Sequence, residues 1–309
     1  MKKYIFYSIL LFTFASCSKV KIEVPDFNVT TDKTTYTIRD TVAFNLEGNP
    51  GFISFFSGET GKKYELSSIT KKDADSTILF FSTNTTAAST TTQPLSVNNV
   101  SVLASTNFSG VYDSASIRKA TWTDISSKAV YATTTTTVQS GNIRVDNLKS
   151  ADNPLFIAFR YKSDTAKATA LPRKWVVASF GLKNYFKDVV YPLAGGTTGA
   201  VLPFTSGGFY EKSLLNGTSN WVFANGSLTF NAAPVGSLPD EDWSISRPFD
   251  LTLYPKDLGT VIKNTSVRLS QYRYRFVTAG TYVVTFVAKN NSSEESKEVA
   301  KQITLTITP

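Results

Sequence analysis

The chain has no histidine, and only one cysteine and one methionine among 309 residues. Without His the usual general base and proton shuttle at neutral pH is missing, which excludes His-dependent triads and dyads and the zinc sites that imidazole builds. A single Cys excludes an internal disulfide or a thiolate cluster. Charged residues make up only 18% of the chain, and the basic excess of 32 Lys plus Arg over 24 Asp plus Glu is scattered among acidic positions. No Lys/Arg-rich run marks a surface for nucleic acid, so no nucleic-acid partner is expected. Sustained 3.6-residue apolar periods are also missing, which excludes a helical architecture. The chemistry that remains is that of carboxylates, Lys, Tyr, hydroxyls and oxygen-ligated cations such as calcium.

Hydroxyl residues and aromatics are abundant. Ser and Thr number 74, and 13% of residues are Phe, Trp or Tyr. Thr, Tyr, Phe and Val fit a pleated surface, so the composition predicts an all-β protein. Tyr36, Ile38, Val42, Phe44 and Leu46 alternate with polar residues before a Gly48-Asn49-Pro50-Gly51 turn and the apolar run Phe52 to Phe56. Near the other end, Tyr282, Val284, Phe286 and Ala288 alternate, as do Ile303, Leu305 and Ile307. Such alternation buries one face of an antiparallel sheet. Two low-complexity tracts, Thr83 to Thr92 and Thr133 to Thr137, read as exposed loops or hairpin ends, with Thr-rich edge strands as the alternative.

At the N-terminus, Lys2 and Lys3 precede an apolar stretch from Tyr4 to Ala15. A stretch of about a dozen residues is too short to span a bilayer but suits a signal-peptide core. Phe14-Ala15-Ser16-Cys17 resembles a lipobox, with Phe14 where Leu is usual. The resemblance implies cleavage after residue 16, acylation of Cys17 with palmitate-type chains, and a mature protein tethered to membrane lipid. Lipoproteins of Bacteroidota that reach the cell surface resemble one another in an acidic cluster after the Cys, and here only Glu23 follows. The outer membrane is the expected location, with the periplasmic and cell-surface leaflets both open.

Thr278-Ala279-Gly280-Thr281-Tyr282-Val283-Val284-Thr285-Phe286-Val287-Ala288-Lys289-Asn290 resembles the last strands of a PKD-type immunoglobulin-like module. Asp40-Thr41-Val42-Ala43-Phe44 resembles that module's early strand. Between them, Ala120-Thr121-Trp122-Thr123-Asp124-Ile125-Ser126, Leu155 to Tyr161 and Arg173-Lys174-Trp175-Val176-Val177 are similar to cleaved-adhesin or choice-of-anchor jelly rolls. With further matches at Ser105 to Gly110 and Glu241 to Ile245, the mature chain resembles a family of Bacteroidota lipoproteins whose activity is not established. Members commonly accompany outer-membrane machinery for polysaccharide uptake, which implies a partner complex of that kind. The implied organisation is a signal peptide (1–16), a tether (17–26), the first half of an Ig-like sandwich (27–76), an inserted jelly roll (77–262) and the second Ig-like half (263–309).

Candidate site residues come from several patterns. Sugar rings stack on indole or phenol planes while amides and carboxylates take their hydroxyls. Phe209, Tyr210 and Trp221 lie among Gly195-Gly196, Gly207-Gly208, Asn216-Gly217 and Asn225-Gly226, a composition of loops that approach a ligand closely, and they are the expected glycan contacts. Trp122 and Trp175 sit in apolar strand contexts and read as core, whereas Trp243 reads as a loop anchor. Of Asp240, Glu241 and Asp242, alternation lets only the first and third converge, which could serve a structural calcium; a solvated turn is the preferred alternative. No other cofactor is expected. Asp113, Asp124, Asp146 and Asp188 could act in a glycoside hydrolase, but nothing in their spacing selects a pair. Asp-Ser/Thr-small motifs resembling O-glycan acceptors occur at Thr41, Ser76, Ser114 and Thr165, with Ser76 and Thr165 expected to be most exposed and Thr41 least suited. The expectation is therefore a non-enzymatic lipoprotein binding carbohydrate or another exported ligand. The alternatives are a structural or adhesive module binding protein and a carboxylate-based glycoside hydrolase.

Overall fold

The computed structural model describes residues 21–87, 99–163, 173–196, 199–231, 239–265 and 267–309. Cys17, Thr165 and the Thr tract beyond Ala87 lie outside the described residues. The N-terminal arm carries β1 (Phe27–Thr30), β2 (Thr35–Thr37), β3 (Val42–Gly48) and β4 (Phe52–Phe56). The middle of the chain carries β5 (Ser76–Ala87), β6 (Val100–Ser105), the helix α1 (Ser114–Lys119), β7 (Thr123–Asp124), β8 (Val138–Gln139), β9 (Ile143–Arg144), β10 (Phe156–Ser163), β11 (Arg173–Tyr185), β12 (Val190–Ala194), β13 (Phe209–Leu215), β14 (Trp221–Ala224), β15 (Ser227–Phe230) and β16 (Asp240–Ser246). The C-terminal arm returns with β17 (Thr260–Asn264), β18 (Gln271–Tyr274), β19 (Gly280–Asn291) and β20 (Ser296–Thr308).

Two compact units result. One joins the residues up to Ser67 with Asp257–Pro309, and the other is Ser68–Lys256. The chain is thus all-β, with one sandwich inserted into another, as the alternation at the two ends predicts. Both junctions lie nearer the N-terminus than the expected 76/77 and 262/263, so the inserted unit begins and ends earlier. At the first junction the reason lies in hydrogen bonding: Lys72 N donates to Thr252 O at 2.7 Å and Tyr254 N to Thr70 O at 2.9 Å, drawing the segment before β5 into the inserted unit. β17, expected in the insertion, pairs with β4 instead.

In the outer sandwich, a three-stranded sheet (β1-β3-β18) faces a five-stranded sheet (β17-β4-β19-β20-β2). The inward residues of β3, Val42, Phe44 and Leu46, meet Phe55, Val284, Phe286 and Leu305 from the other sheet. The Phe44 ring lies 5.0 Å from Phe286 and 5.8 Å from Phe55. Burying each such ring contributes roughly 1.5–3 kcal/mol. β3 takes β18 as one neighbour, and β4 takes both its neighbours, β17 and β19, from the C-terminal arm, so neither arm holds a full set of strands. A fragment of residues 24–104 is accordingly expected to show no cooperative transition when its circular dichroism is followed through urea or heat. A sigmoidal transition would mean the N-terminal arm folds alone.

The inserted sandwich packs a five-stranded sheet (β13-β16-β10-β6-β7) against a seven-stranded arrangement with β14-β15-β11-β5-β8 as its path. Its core includes Phe81, Phe159, Tyr161, Trp175, Phe180, Trp221 and Phe230. A bulge between Val177 and Ser179 shifts β11 by one residue, so the inward positions change from Trp175 and Val177 to Phe180 and Leu182. The first Thr tract is not a loop or an edge at its start. Thr83 and Thr85 are buried in β5, which lies between β11 and β8, and Thr85 Oγ1 donates to Lys174 O at 2.8 Å. Thr133 to Thr137 do form an exposed bend.

Candidate ligand-binding site

The five-stranded sheet of the inserted unit is covered on both faces. Its outer face presents Leu103, Phe156, Ala158, Trp243 and Ile245, and the segment around α1 lays Phe108, Ile117 and, partly buried, Tyr112 and Trp122 over them. Double burial explains why β10 reads as the near-continuous apolar run Phe-Ile-Ala-Phe. Asp113 caps α1, its carboxylate accepting from Ser116 N at 2.7 Å. Tyr112 fastens the cover through a hydroxyl that donates to Ser246 O at 2.9 Å, and burial pushes that phenol up to about 12.

Where the cover ends, an open groove of about 380 Å³ remains, lined by Ile117, Arg118, Trp122, Arg160, Glu241 and Trp243 among others. Trp243 forms its floor and is 4% exposed, while Trp122 is half-buried and stands against it with ring centroids 5.0 Å apart at 53°. The register of β10 and β16 places Arg160 directly across from Trp243. Its guanidinium carbon lies 5.6 Å from the Trp243 ring centroid, and its Nε is buried with no hydrogen-bond partner. Glu241 shares the outer face of β16 and accepts from Trp243 Nε1 at 2.8 Å, leaving the second carboxylate oxygen available. Trp122 Nε1 donates to Ile117 O at 3.0 Å, so both indoles are held in fixed orientations. The groove therefore brings a rigid aromatic wall, the Arg160 guanidinium and the Glu241 carboxylate together in one concavity. That combination fits an uncharged, hydroxyl-rich ring.

Phe209, Tyr210 and Trp221 are not brought together as a surface. Phe209 is 2% and Trp221 1% exposed, both inside the sandwich core, and Trp221 Nε1 donates to Asp242 O at 3.2 Å. Tyr210, on the opposite side of β13, is 38% exposed and lies 5.1 Å from the Tyr112 ring. The neighbouring glycines serve backbone packing. A Cβ on Gly208 would sit 2.0 Å from the Leu202 carbonyl oxygen. Asn225 and Gly226 take positive φ in the two-residue turn joining β14 to β15. Trp243 is a strand residue rather than a loop anchor, and Trp122, read as core, is the indole with accessible surface. Trp175 is core as expected.

The acidic triplet is not a solvated turn. It opens β16, and Asp240 and Asp242 point into the sandwich at 2% and 1% exposure. Burial raises both carboxyl pKa values above the usual range; the neighbouring Asp240 pushes Asp242 up further, while their shared hydrogen bond partly offsets the rise at Asp240. The other carboxylates have local duties: Asp124 accepts from Ser126 N at 2.9 Å, Asp146 holds Arg144 at 2.8 Å, and Asp188 is exposed beyond β11. Of the acceptor motifs, Thr41 is exposed ahead of β3, whereas Ser76 is half-buried in β5 and Ser114 half-buried in α1. This reverses the expected ranking of Thr41 and Ser76, because β5 is an interior strand and β3 begins one residue after Thr41.

Residues 16–200 match the family described as a domain of unknown function, DUF5017. The chain belongs to that family. No curated protein and no solved structure matches it. The DUF5017 match takes in Trp122 and Arg160 but ends before β13 and β16, so Glu241 and Trp243 complete the groove from outside the matched segment.

Proposed function

We propose that this DUF5017 protein is a lipid-anchored protein of the outer membrane that binds carbohydrate, without catalysis, in the groove between Trp122 and Trp243. The observation that carries the reading is the meeting of the partly exposed Trp122 indole with the Arg160 guanidinium and the Glu241 carboxylate in one open concavity. Aromatic planes favour the C–H face of a sugar, and the two charged groups suit its hydroxyls. The lipobox-like Phe14-Ala15-Ser16-Cys17 supports the anchor, and the resemblance to lipoproteins of polysaccharide uptake supports the ligand class. The PKD-like and adhesin-like resemblances fit a spacer carrying a recognition module.

The test is a glycan panel on the purified mature chain, followed by titration calorimetry with whichever glycan binds. Trp122→Ala should weaken that glycan about five- to thirty-fold, equivalent to roughly 1 to 2 kcal/mol, with little change in thermal midpoint. Unchanged affinity in Trp122→Ala, or a panel without a binder, would defeat the reading.

A further inference from the structure

Half of the expected tether, residues 17–26, belongs to the outer sandwich. Pro25 is buried and Ile22 partly buried, and three contacts hold the segment down. The Asp26 carbonyl oxygen lies where a Cβ on Gly48 would stand, 2.0 Å from that point, so the chain enters β1 flat against the end of β3. Asn290 grips the next turn with both ends of its amide: Nδ2 donates to Glu23 O at 3.3 Å, while Oδ1 accepts from Gly51 N at 2.9 Å. One residue earlier, the Ile22 amide donates to the Glu295 carboxylate, which also takes Lys297 Nζ at 2.7 Å.

All three contacts fall at one end of the sandwich. There β3 stops at Gly48, β4 starts at Phe52, β17 stops at Asn264 and the β19–β20 hairpin turns between Asn291 and Ser296. Val24 and Val267 stand at this end with 60% and 86% of their surface exposed. Gly280 and Thr308 mark the other end. The 12 residues of β19 separate the two by roughly 35 Å at 3.2–3.4 Å per residue.

Covalent geometry limits how far this end can stand from an anchor at Cys17. Five Cα–Cα steps lead from Cys17 to the clasped Ile22, and fully extended they cover about 18 Å at most, half the length of the sandwich. Acyl chains in the bilayer would keep the Cys17 backbone at headgroup level. We propose that the β19–β20 turn, with the β3–β4 turn and the clasped residues 22–26 beside it, is the face that the outer sandwich presents to the phospholipid headgroups. Val24 and Val267 are the side chains that meet the bilayer surface. Glu294, Glu298, Lys289 and Lys297 are mixed in sign around the turn, so a basic patch does not make the attachment; the acyl chains do.

This orientation rests on the lipid-anchor reading above. It is tested on full-length acylated protein in phosphatidylethanolamine/phosphatidylglycerol vesicles. Cys17 is the only native Cys, and acylation consumes its thiol, so Ser293→Cys and Thr278→Cys each supply one labelling site, exposed at opposite ends of β19. A fluorophore at Ser293→Cys should be quenched several-fold more than one at Thr278→Cys by lipids carrying a nitroxide on the headgroup. Insertion of ten Gly/Ser residues after Lys19, which leaves the sandwich untouched, should abolish that difference. In the unlipidated mature chain, residues 22–26 should exchange amide hydrogen slowly, and Asn290→Ala/Glu295→Ala should speed that exchange several-fold. Protein that carries the acyl mass and floats with vesicles yet quenches alike at both sites overturns the orientation alone. So does fast exchange of residues 22–26 in the wild type. Protein without the acyl mass overturns the anchor and the orientation with it.

Discussion

Trp221→Ala should destabilise the inserted sandwich by roughly 3–5 kcal/mol, the range for emptying a large aromatic site in a packed core. Trp221 is among the largest fully buried side chains, its ring lies 5.3 Å from Phe230, and its Nε1 is satisfied by a backbone carbonyl. Removing it leaves a cavity and takes the indole donor from the buried Asp242 carbonyl. For a unit of this size the midpoint should fall on the order of 10 °C, measurable by calorimetry. Trp175→Ala should behave alike, since Trp175 is equally buried and donates to Asn99 Oδ1 at 2.9 Å. Trp122→Ala should not. A Trp221→Ala protein that melts like the wild type but binds glycan weakly would restore the glycine-rich segment as the ligand site and displace the groove.

Membrane fractionation of a Cys17→Ala variant is expected to move the protein from the membrane to the soluble pool. One acyl chain gives only marginal, reversible binding, whereas an acylated Cys with an amide-linked chain adds the further anchors that make attachment stable. Cys17 is the only Cys in the chain, so no other thiol can substitute. Persistent association of the Ala variant with membranes would remove the lipoprotein reading.

Much of the fold was legible because its signals are local. The period-two pattern in β3, β19 and β20 and the Gly48 to Gly51 turn read directly as strands and a connection, and the shortage of strands at each end implied that the two arms share one sandwich. The junctions were not legible, since they depend on hydrogen bonds between Thr70 or Lys72 and residues near Thr252. The bulge in β11 also hides from a period-two reading, which slips at Ala178. That Phe209 and Trp221 are core residues was hidden for a related reason. Glycines and amides around Phe209 and Trp221 looked like access to a ligand, yet Gly208 is required by the Leu202 carbonyl. The available clue was Arg160, a lone cation in a strand whose neighbours are buried on both sides, and its meaning emerged only when the ladder set it across from Trp243. Likewise, the triplet Asp240 to Asp242 carries the charge pattern of a turn, and only the pairing of β16 on both edges turns two of its carboxylates inward.

Nesting one sandwich in another also fixes an order of assembly. Gly51 N meets its partner Asn290 Oδ1 across 239 positions of sequence, and β3 and β4 find their neighbours only in the C-terminal arm. As the chain is made from its N-terminus, β1 to β4 must wait, with Phe44 and Phe55 uncovered, until the last strands have arrived. The inserted sandwich meets no such delay, because all its strands lie within one continuous stretch. Long-range pairing of this kind slows folding and prolongs the life of aggregation-prone intermediates. The nascent protein thus passes through a stage with a finished middle and two sticky, unpaired ends, and it is at this stage that a holdase would be needed.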